Sequence, residues 1–456
     1  MSLFEEILTH PTDEPFIVDE NLKLSYGEMI RTVAGIRALI AKKGISPKSV
    51  VALRTSQDTA SILTLLALLE MECSVLVVHA RWPDTMLSEA LERVSASYLI
   101  TPKKLAEIEV QKLSRSQPHP SWATGASVIV ATSGSTGVPK LALLPLASLL
   151  TSARTSAPAC ALTKGDRWQL SLPLFHVGGL GILFRSLVTG SSISLTNFEE
   201  GIANGATTHL SLVPTQLYRL LRDTKVSDRL RLKKCIMLGG APIGARILRE
   251  SIESGLPVMT TYGLTEMGAA VTLASAPAIS EEGVVSLGRP LPGREIHLST
   301  DGEVLTRGET LFKGYITSEG LSVPNDEAGW FVTGDLGQIL SDGTLAIIGR
   351  RDAQFISGGE NIQPEMIENA LTSLPGIMAA CVVPIPNEEF GYRPFAFVVS
   401  ERAILGIEEV REALRPLIPG FALPVGIQEA PRDLLTLSGK ISRALATRMA
   451  DSSRSA

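Results

Sequence analysis

Several kinds of feature are scarce in this sequence, and each absence narrows what the chain can be. Cysteine is rare, with four in 456 residues. Cys73, Cys160, Cys235 and Cys381 are far apart and each sits in apolar sequence. They read as buried free thiols in a reducing cytoplasm, not as a disulfide framework. The six histidines fall at no metal-ligand spacing with them, which argues against a zinc site. Long apolar runs are also lacking. The longest, Ile62 to Val78, is interrupted by Glu70 and Glu72, so it reads as a buried helix and a buried strand with no membrane insertion. The opening MSLFEEILTHPTDEP carries two glutamates where a secretory signal needs basic residues. The net charge of −5 gives no reason to expect nucleic-acid binding. There is no internal repeat and no low-complexity tract, and only Asp451 to Ala456 reads as frayed.

What remains is a soluble globular chain, 45% hydrophobic and 20% charged, long enough for two or more domains. Apolar strands alternate with amphipathic helices. Ser49–Arg54, Ser74–His79 and Ser97–Thr101 read as strands, with helices at Thr59–Glu70 and Thr85–Val94 between them. This βαβαβ order predicts a parallel sheet with right-handed crossovers. The pattern returns at Ser191–Thr196, Thr208–Val213, Thr215–Arg222, Cys235–Leu238, Ala245–Ser254 and Val258–Tyr262. After about Gly283, glycines and short alternating strands such as Gly302–Arg307 and Gly343–Gly349 predict a small β-rich subdomain. Beyond Asp352 come a helix at Pro364–Ser373, strands at Met378–Pro384 and Phe395–Ser400, and a helix at Ile407–Ile418. The expected architecture is therefore α/β. A large domain, residues 1–351, holds parallel βαβ sheets and the β-rich subdomain, and a small mobile α+β domain, 352–456, follows a tight hinge.

The stretch Thr132-Ser133-Gly134-Ser135-Thr136-Gly137-Val138-Pro139-Lys140 follows the apolar strand Ser127–Ala131. Such a loop can offer backbone N–H groups, hydroxyls and an ammonium to one small anion, which suits a nucleotide phosphate. It is not a Walker A loop: the glycines are three apart, Pro139 precedes the lysine and Leu141 follows it.

This segment resembles the phosphate loop of the adenylate-forming superfamily, which includes acyl-CoA synthetases, the adenylation domains of peptide synthetases, and luciferases. The resemblance continues in the family's order through six further segments. Pro173-Leu174-Phe175-His176-Val177-Gly178-Gly179 is similar to the segment near the acyl pocket. Gly239-Gly240-Ala241-Pro242 is similar to the adenine-side loop, and Thr261-Tyr262-Gly263-Leu264-Thr265-Glu266 to the segment holding adenine, phosphate and magnesium. Gly329-Trp330-Phe331-Val332-Thr333-Gly334-Asp335 carries the ribose aspartate, and Gly349-Arg350-Arg351-Asp352 resembles the hinge. Leu437-Ser438-Gly439-Lys440-Ile441-Ser442-Arg443 resembles the terminal catalytic-lysine loop.

The resemblance implies ATP, magnesium and coenzyme A as ligands, beside a small carboxylic acid. It assigns nucleotide contacts to Thr132, Ser133, Gly134, Ser135, Thr136, Gly137, Lys140, Gly240, Ala241, Tyr262, Gly263, Thr265, Asp335 and Arg350. Glu266 becomes the magnesium ligand, since that ion takes carboxylate and phosphate oxygens together. Asp335 can accept both ribose hydroxyls; an ordinary turn aspartate is the alternative. Lys440, with Thr136 and His176, would act on the reacting groups, the lysine as a mobile cation placed where charge develops. His176 would also border the acid and the thiol path, with a core histidine as the alternative. Gly239 and Gly263 would line the acid pocket. Gly358 and Gly359, just after the hinge, would meet the pantetheine arm, and Asp352 would be the pivot. One departure stands out: Leu141-Ala142-Leu143-Leu144 follows the phosphate-loop lysine as an apolar strand where the family usually has glycine, so Lys140 is expected to be positioned differently.

Further similarity, through Ser171–Gly179, Thr208–Leu217 and Phe355–Glu365, points within the family to an acid that is an aromatic diacid. Its pocket needs an apolar slot and a cation for the carboxylate that does not react. Arg219, on the helix Thr215–Arg222, is the candidate cation; the alternative is a solvent-facing arginine with a buried stem. No carrier-type serine segment follows residue 443, so a free thiol is the expected acceptor. A homo-oligomer is compatible with all of these features.

Overall fold

The computed structural model describes residues 10–20, 22–113, 120–132, 139–203, 205–223, 226–281, 283–401, 406–435 and 441–452. Two large sheets dominate. The first has eight strands in the order Gly320–Ser322, Gly314–Thr317, Lys140–Pro145, Ser127–Thr132, Ser74–His79, Val50–Thr55, Tyr98–Lys104 and Glu107–Lys112. Its centre is parallel, as the βαβαβ pattern predicts, and its flanking strands are antiparallel. The second has seven strands in the order Val258–Thr260, Cys235–Leu238, His209–Leu212, Arg167–Gln169, Ser192–Ser194, Pro15–Val18 and Lys23–Ser25. All but the last pairing are parallel.

The two sheets share one core. Phe16, Trp168 and Ile193 of the second sheet pack in the same cluster as Val51, Val75 and Val128 of the first. The helix Thr59–Glu70 lies in that cluster, and eleven of its twelve residues are buried, so its largely apolar sequence fits an enclosed helix. Asp58 caps it, accepting a hydrogen bond from the Ser61 backbone N–H at 2.7 Å.

In the second sheet the chain runs from Arg167–Gln169 to Ser192–Ser194 on one side, then crosses to His209–Leu212 on the other. Strand order therefore reverses between Gln169 and Leu212. In an open parallel sheet, a crevice forms beyond the carboxyl ends at such a point.

The β-rich region after Gly283 divides in two. Arg294–Leu298, Glu303–Gly308, Phe331–Ile339 and Leu345–Arg350 form a four-stranded antiparallel sheet. Gly314–Thr317 and Gly320–Ser322 leave it and extend the first large sheet beside Lys140–Pro145. From Phe355 onward the described strands pair only among themselves, in a five-stranded sheet with its own core around Ile362, Leu371, Val382 and Val398. This unit touches the rest through the helix Pro364–Ser373 and its surroundings. Arg246 donates to the carbonyls of Thr372 and Ile377, both at 3.2 Å. Arg222 pairs with Glu401 at 3.0 Å, and Gln363 donates to the Arg350 carbonyl at 3.2 Å.

Candidate active site

The phosphate-loop segment is the tip of a hairpin. Ser127–Thr132 and Lys140–Pro145 are antiparallel, with Thr132 opposite Lys140. Ser133, Gly134, Ser135, Thr136 and Gly137 lie outside the described residues. Side chains alternate across this hairpin. Leu141 and Leu143 enter one core while Ala142 and Leu144 enter the other. Leu141 thus anchors the strand and leaves Lys140 exposed on the opposite face, its Nζ 5.0 Å from the centroid of the Tyr315 ring.

The same face carries Glu266. It sits in the 3-10 turn Thr265–Met267 and is 9% exposed. Tyr315 Oη donates to its Oε1 at 2.5 Å, and the Phe312 N–H donates to its backbone carbonyl at 2.7 Å. Glu266 Oε2 has no partner among the described residues, so one carboxylate oxygen remains for a cation that phosphate oxygens would complete. Gly263, just upstream, pairs with Ala270; a Cβ there would stand 2.5 Å from the Ala269 carbonyl oxygen, so no side chain fits.

Asp335 is 7% exposed and held from two sides. Tyr262 Oη donates to its Oδ2 at 2.6 Å, and Arg350 Nη1 donates to its Oδ1 at 3.0 Å. Burial pushes the Asp335 carboxyl up from the ordinary carboxylate range, against the opposing pull of Arg350 and the Tyr262 hydroxyl. A carboxylate with four acceptor sites still has room for ribose hydroxyls. Arg350 also grips Asp352 in two-pronged fashion, Nε to Oδ1 at 3.0 Å and Nη2 to Oδ2 at 3.1 Å. The expected ribose contact and the expected pivot therefore share one guanidinium.

Gly239 and Gly240 follow the strand Cys235–Leu238, at the carboxyl end of the second sheet. The Gly239 N–H donates to the Leu212 carbonyl at 3.2 Å, and a Cβ on it would stand 2.6 Å from Thr261 Cγ2. Gly240, with φ +73°, is exposed, and Ala241 follows half-buried. His176 is the exposed N-cap of the helix Val177–Thr189. Its ring lies 4.5 Å from that of Phe175, which lies 5.1 Å from that of His79.

Arg219 is exposed, between the buried Tyr218 and Leu220. It is the solvent-facing helix arginine, not a cation within an apolar slot. A buried cation that sequence reasoning missed is Arg185. It lies on Val177–Thr189, 2% exposed, with its guanidinium 4.4 Å from the centroid of Trp168. It makes no ion pair among the described residues, and its Nε has no hydrogen-bond partner. Gly181 makes space for it: a Cβ there would stand 3.1 Å from Arg185 Nη1. The guanidinium thus reaches back to the level of Gly181, roughly 6 Å along the axis from Val177. The signal was available as one arginine inside Gly181-Ile182-Leu183-Phe184-Arg185-Ser186-Leu187, a run buried throughout.

In the small unit, Gly358 and Gly359 are the two-residue turn between Phe355–Ser357 and Glu360–Ile362, exposed, with φ +59° and +88°. A hairpin turn with both central residues at positive φ requires glycine-like freedom, so the pair has a structural reason beyond ligand approach. Lys440 lies outside the described residues. Beside it, Leu435 and Ile441 form an antiparallel bridge, and Arg443 pairs with Glu365 at 3.0 Å and Glu368 at 2.8 Å.

Residues 3–316 match the family model described as AMP-binding enzyme, and residues 366–440 match that of the AMP-binding enzyme C-terminal domain. The 2-succinylbenzoate–CoA ligase of Escherichia coli (strain K12) is 33% identical over 430 residues, 92% of each chain. That of Salmonella typhimurium is 34% identical over 431 residues, 92% of this chain and 91% of the relative. Among solved structures, an arginine-to-lysine variant of E. coli MenE with bound OSB-AMS is 29% identical, covers 98% of this chain and 97% of that one, and superposes with a TM-score of 0.82. MenE from Bacillus subtilis in complex with ATP and magnesium ion, 24% identical over 97% of this chain and 98% of that one, shares the fold at a TM-score of 0.82.

Proposed function

The chain belongs to the AMP-binding enzyme family, and from that premise we propose that it is the AMP-forming 2-succinylbenzoate–CoA ligase of menaquinone biosynthesis. In the first step the aliphatic carboxylate of the acid attacks the α-phosphorus of ATP, and pyrophosphate leaves. In the second, the thiolate sulfur of coenzyme A attacks the acyl carbonyl, and AMP leaves.

Each site feature has a place in this scheme. Asp335 accepts the ribose hydroxyls while Tyr262 and Arg350 fix its oxygens. Lys140 and the loop hydroxyls, Thr136 among them, receive the phosphates. Magnesium, held by Glu266 and phosphate oxygens, would offset charge on the departing pyrophosphate. His176 borders the entry to the acid pocket. Lys440 neutralises the charge passing between carboxylate and α-phosphate, and Gly358–Gly359 guides the thiol arm after the small domain turns about Asp352. The four cysteines are free and buried, which fits a reducing cytoplasm. No helix among the described residues is long and apolar enough to cross a membrane.

The observation that carries the substrate reading is Arg185. An aromatic diacid brings one carboxylate to be activated and one to be recognised. A guanidinium stacked on Trp168, without a protein carboxylate among the described residues, suits the second. Arg219, exposed on its helix, becomes the weaker candidate. The test is a panel of acids, aromatic diacids against matched monoacids, assayed for CoA-dependent AMP release. Preference for 2-succinylbenzoate is expected; equal use of monoacids would contradict it.

A further inference from the structure

The strand Gly314–Thr317 lies antiparallel to Lys140–Pro145, with Tyr315 directly opposite Ala142. Ala142 and Lys140 are two residues apart on one strand, so they share a face. Tyr315 faces the same way, and its diagonal neighbour on that face is Lys140, within reach of a long side chain. The 3-10 turn bearing Glu266 covers the same place. Register alone thus brings one phenol between the phosphate-loop lysine and the acidic residue. The contacts are a 2.5 Å hydrogen bond from Tyr315 Oη to Glu266 Oε1 and a 5.0 Å approach of Lys140 Nζ to the ring centroid. Phe312 packs edge-on against the phenol at 4.8 Å and donates its N–H to the Glu266 carbonyl, so the turn and the ring are braced by the same residue, just before the strand.

We propose that Tyr315 is the positioning residue of the triphosphate–magnesium site. Its hydroxyl fixes one oxygen of Glu266 and aims the other at the metal, and its ring steadies the ammonium of Lys140. This rests on the reading of Glu266 and Lys140 given above, and adds a group that couples them. A hydrogen bond to a metal-ligating carboxylate orients the ligand; loss of such a partner typically costs about 10–100-fold in metal affinity. A cation held over a ring at a partly exposed site contributes less, about 2–5-fold.

The test uses the full-length chain and α,β-methylene-ATP, which binds without reacting. Calorimetry across a magnesium series gives the half-saturating magnesium concentration for binding of the analogue. AMP binding and thermal unfolding serve as controls. Tyr315→Phe is expected to raise the half-saturating magnesium concentration about 10-fold or more, with AMP affinity and unfolding temperature unchanged. Tyr315→Leu should in addition weaken magnesium-free analogue binding by about 2–5-fold, since the ring under Lys140 is gone. In a Glu266→Gln background, Tyr315→Phe should no longer shift the magnesium dependence, an outcome that a general packing role does not produce. Unchanged magnesium dependence in Tyr315→Phe, or an equal shift in both backgrounds, overturns the inference while leaving the ligase reading intact. A wild-type chain with no magnesium-dependent binding of the analogue overturns both.

Discussion

Arg185 and Arg219 both follow motifs that resemble the acid pocket, yet they meet different fates. The reason lies in helix periodicity. At 100° per residue, Arg219 falls on the opposite side of its helix from Leu217 and Leu221, so solvent exposure was already written in the spacing. Arg185 lies on a helix buried nearly all round, where a charge has no polar face to occupy. Burial lowers the pKa of Arg185, but a guanidinium does not give up its proton in a protein. It therefore stands as a buried charge with no ion pair among the described residues. Arg185→Ala is predicted to weaken use of 2-succinylbenzoate by the equivalent of about 2–5 kcal/mol, with little effect on benzoate-like monoacids. Arg219→Ala should leave the diacid preference within a few-fold of wild type. Competition kinetics with paired acids checks both; a larger loss of preference in Arg219→Ala than in Arg185→Ala would reverse the assignment.

Among elements, the legible parts were those with a strong period or a long apolar run. Thr59–Glu70, Ser74–His79, Cys235–Leu238 and Pro364–Ser373 occur with the bounds that the sequence reading assigned. Short strands paired through distant partners were not legible. Pro15–Val18 joins the second sheet beside Ser192–Ser194, and Gly314–Thr317 joins the first beside Lys140–Pro145; neither pairing has a local signature. Tyr315 was missed because it acquires its meaning from partners far away in sequence, whereas Arg185 was missed although its buried apolar run was a local signal. The motif glycines were legible as motif members, but not their mechanical tasks. Gly179 lies in the first turn of Val177–Thr189, where a Cβ would stand 2.2 Å from the Pro173 carbonyl oxygen. Gly179→Ala must therefore push the helix start away from the Pro173–His176 segment. Overpacking of this kind costs about 1–3 kcal/mol, so a lower unfolding temperature and a raised KM for the acid are expected together. Unchanged values for both would show that the segment yields without cost.

At the scale of the whole molecule, the described residues tie the small unit on through Arg246 to Thr372 and Ile377, Arg222 to Glu401, Gln363 to Arg350, and Met378 packed against the large domain. The Gly358–Gly359 turn is exposed, so this arrangement does not bury it in the crevice. If one face of the small domain serves adenylation and another the thiol step, Asp352 must absorb a backbone rotation between them, and its grip on Arg350 must change. Lys440→Ala is predicted to slow adenylate formation by about 10²–10³-fold, as for a lost oxyanion donor, and to spare thioester formation from pre-made adenylate. Asp352→Pro should do the reverse, because a fixed φ holds the domain in its first pose. Single-turnover kinetics of each half-reaction separates the two variants; equal slowing of both halves by both substitutions would contradict rotation.

The chain joins 2-succinylbenzoate to coenzyme A through an acyl-adenylate. The most direct measurement resolves the products formed from ATP, magnesium and 2-succinylbenzoate, with and without coenzyme A, by chromatography. Pyrophosphate and enzyme-bound acyl-adenylate are expected without the thiol, and AMP equal in amount to the acyl-CoA with it. ADP and inorganic phosphate as the nucleotide products, or AMP release independent of the acid, would contradict it.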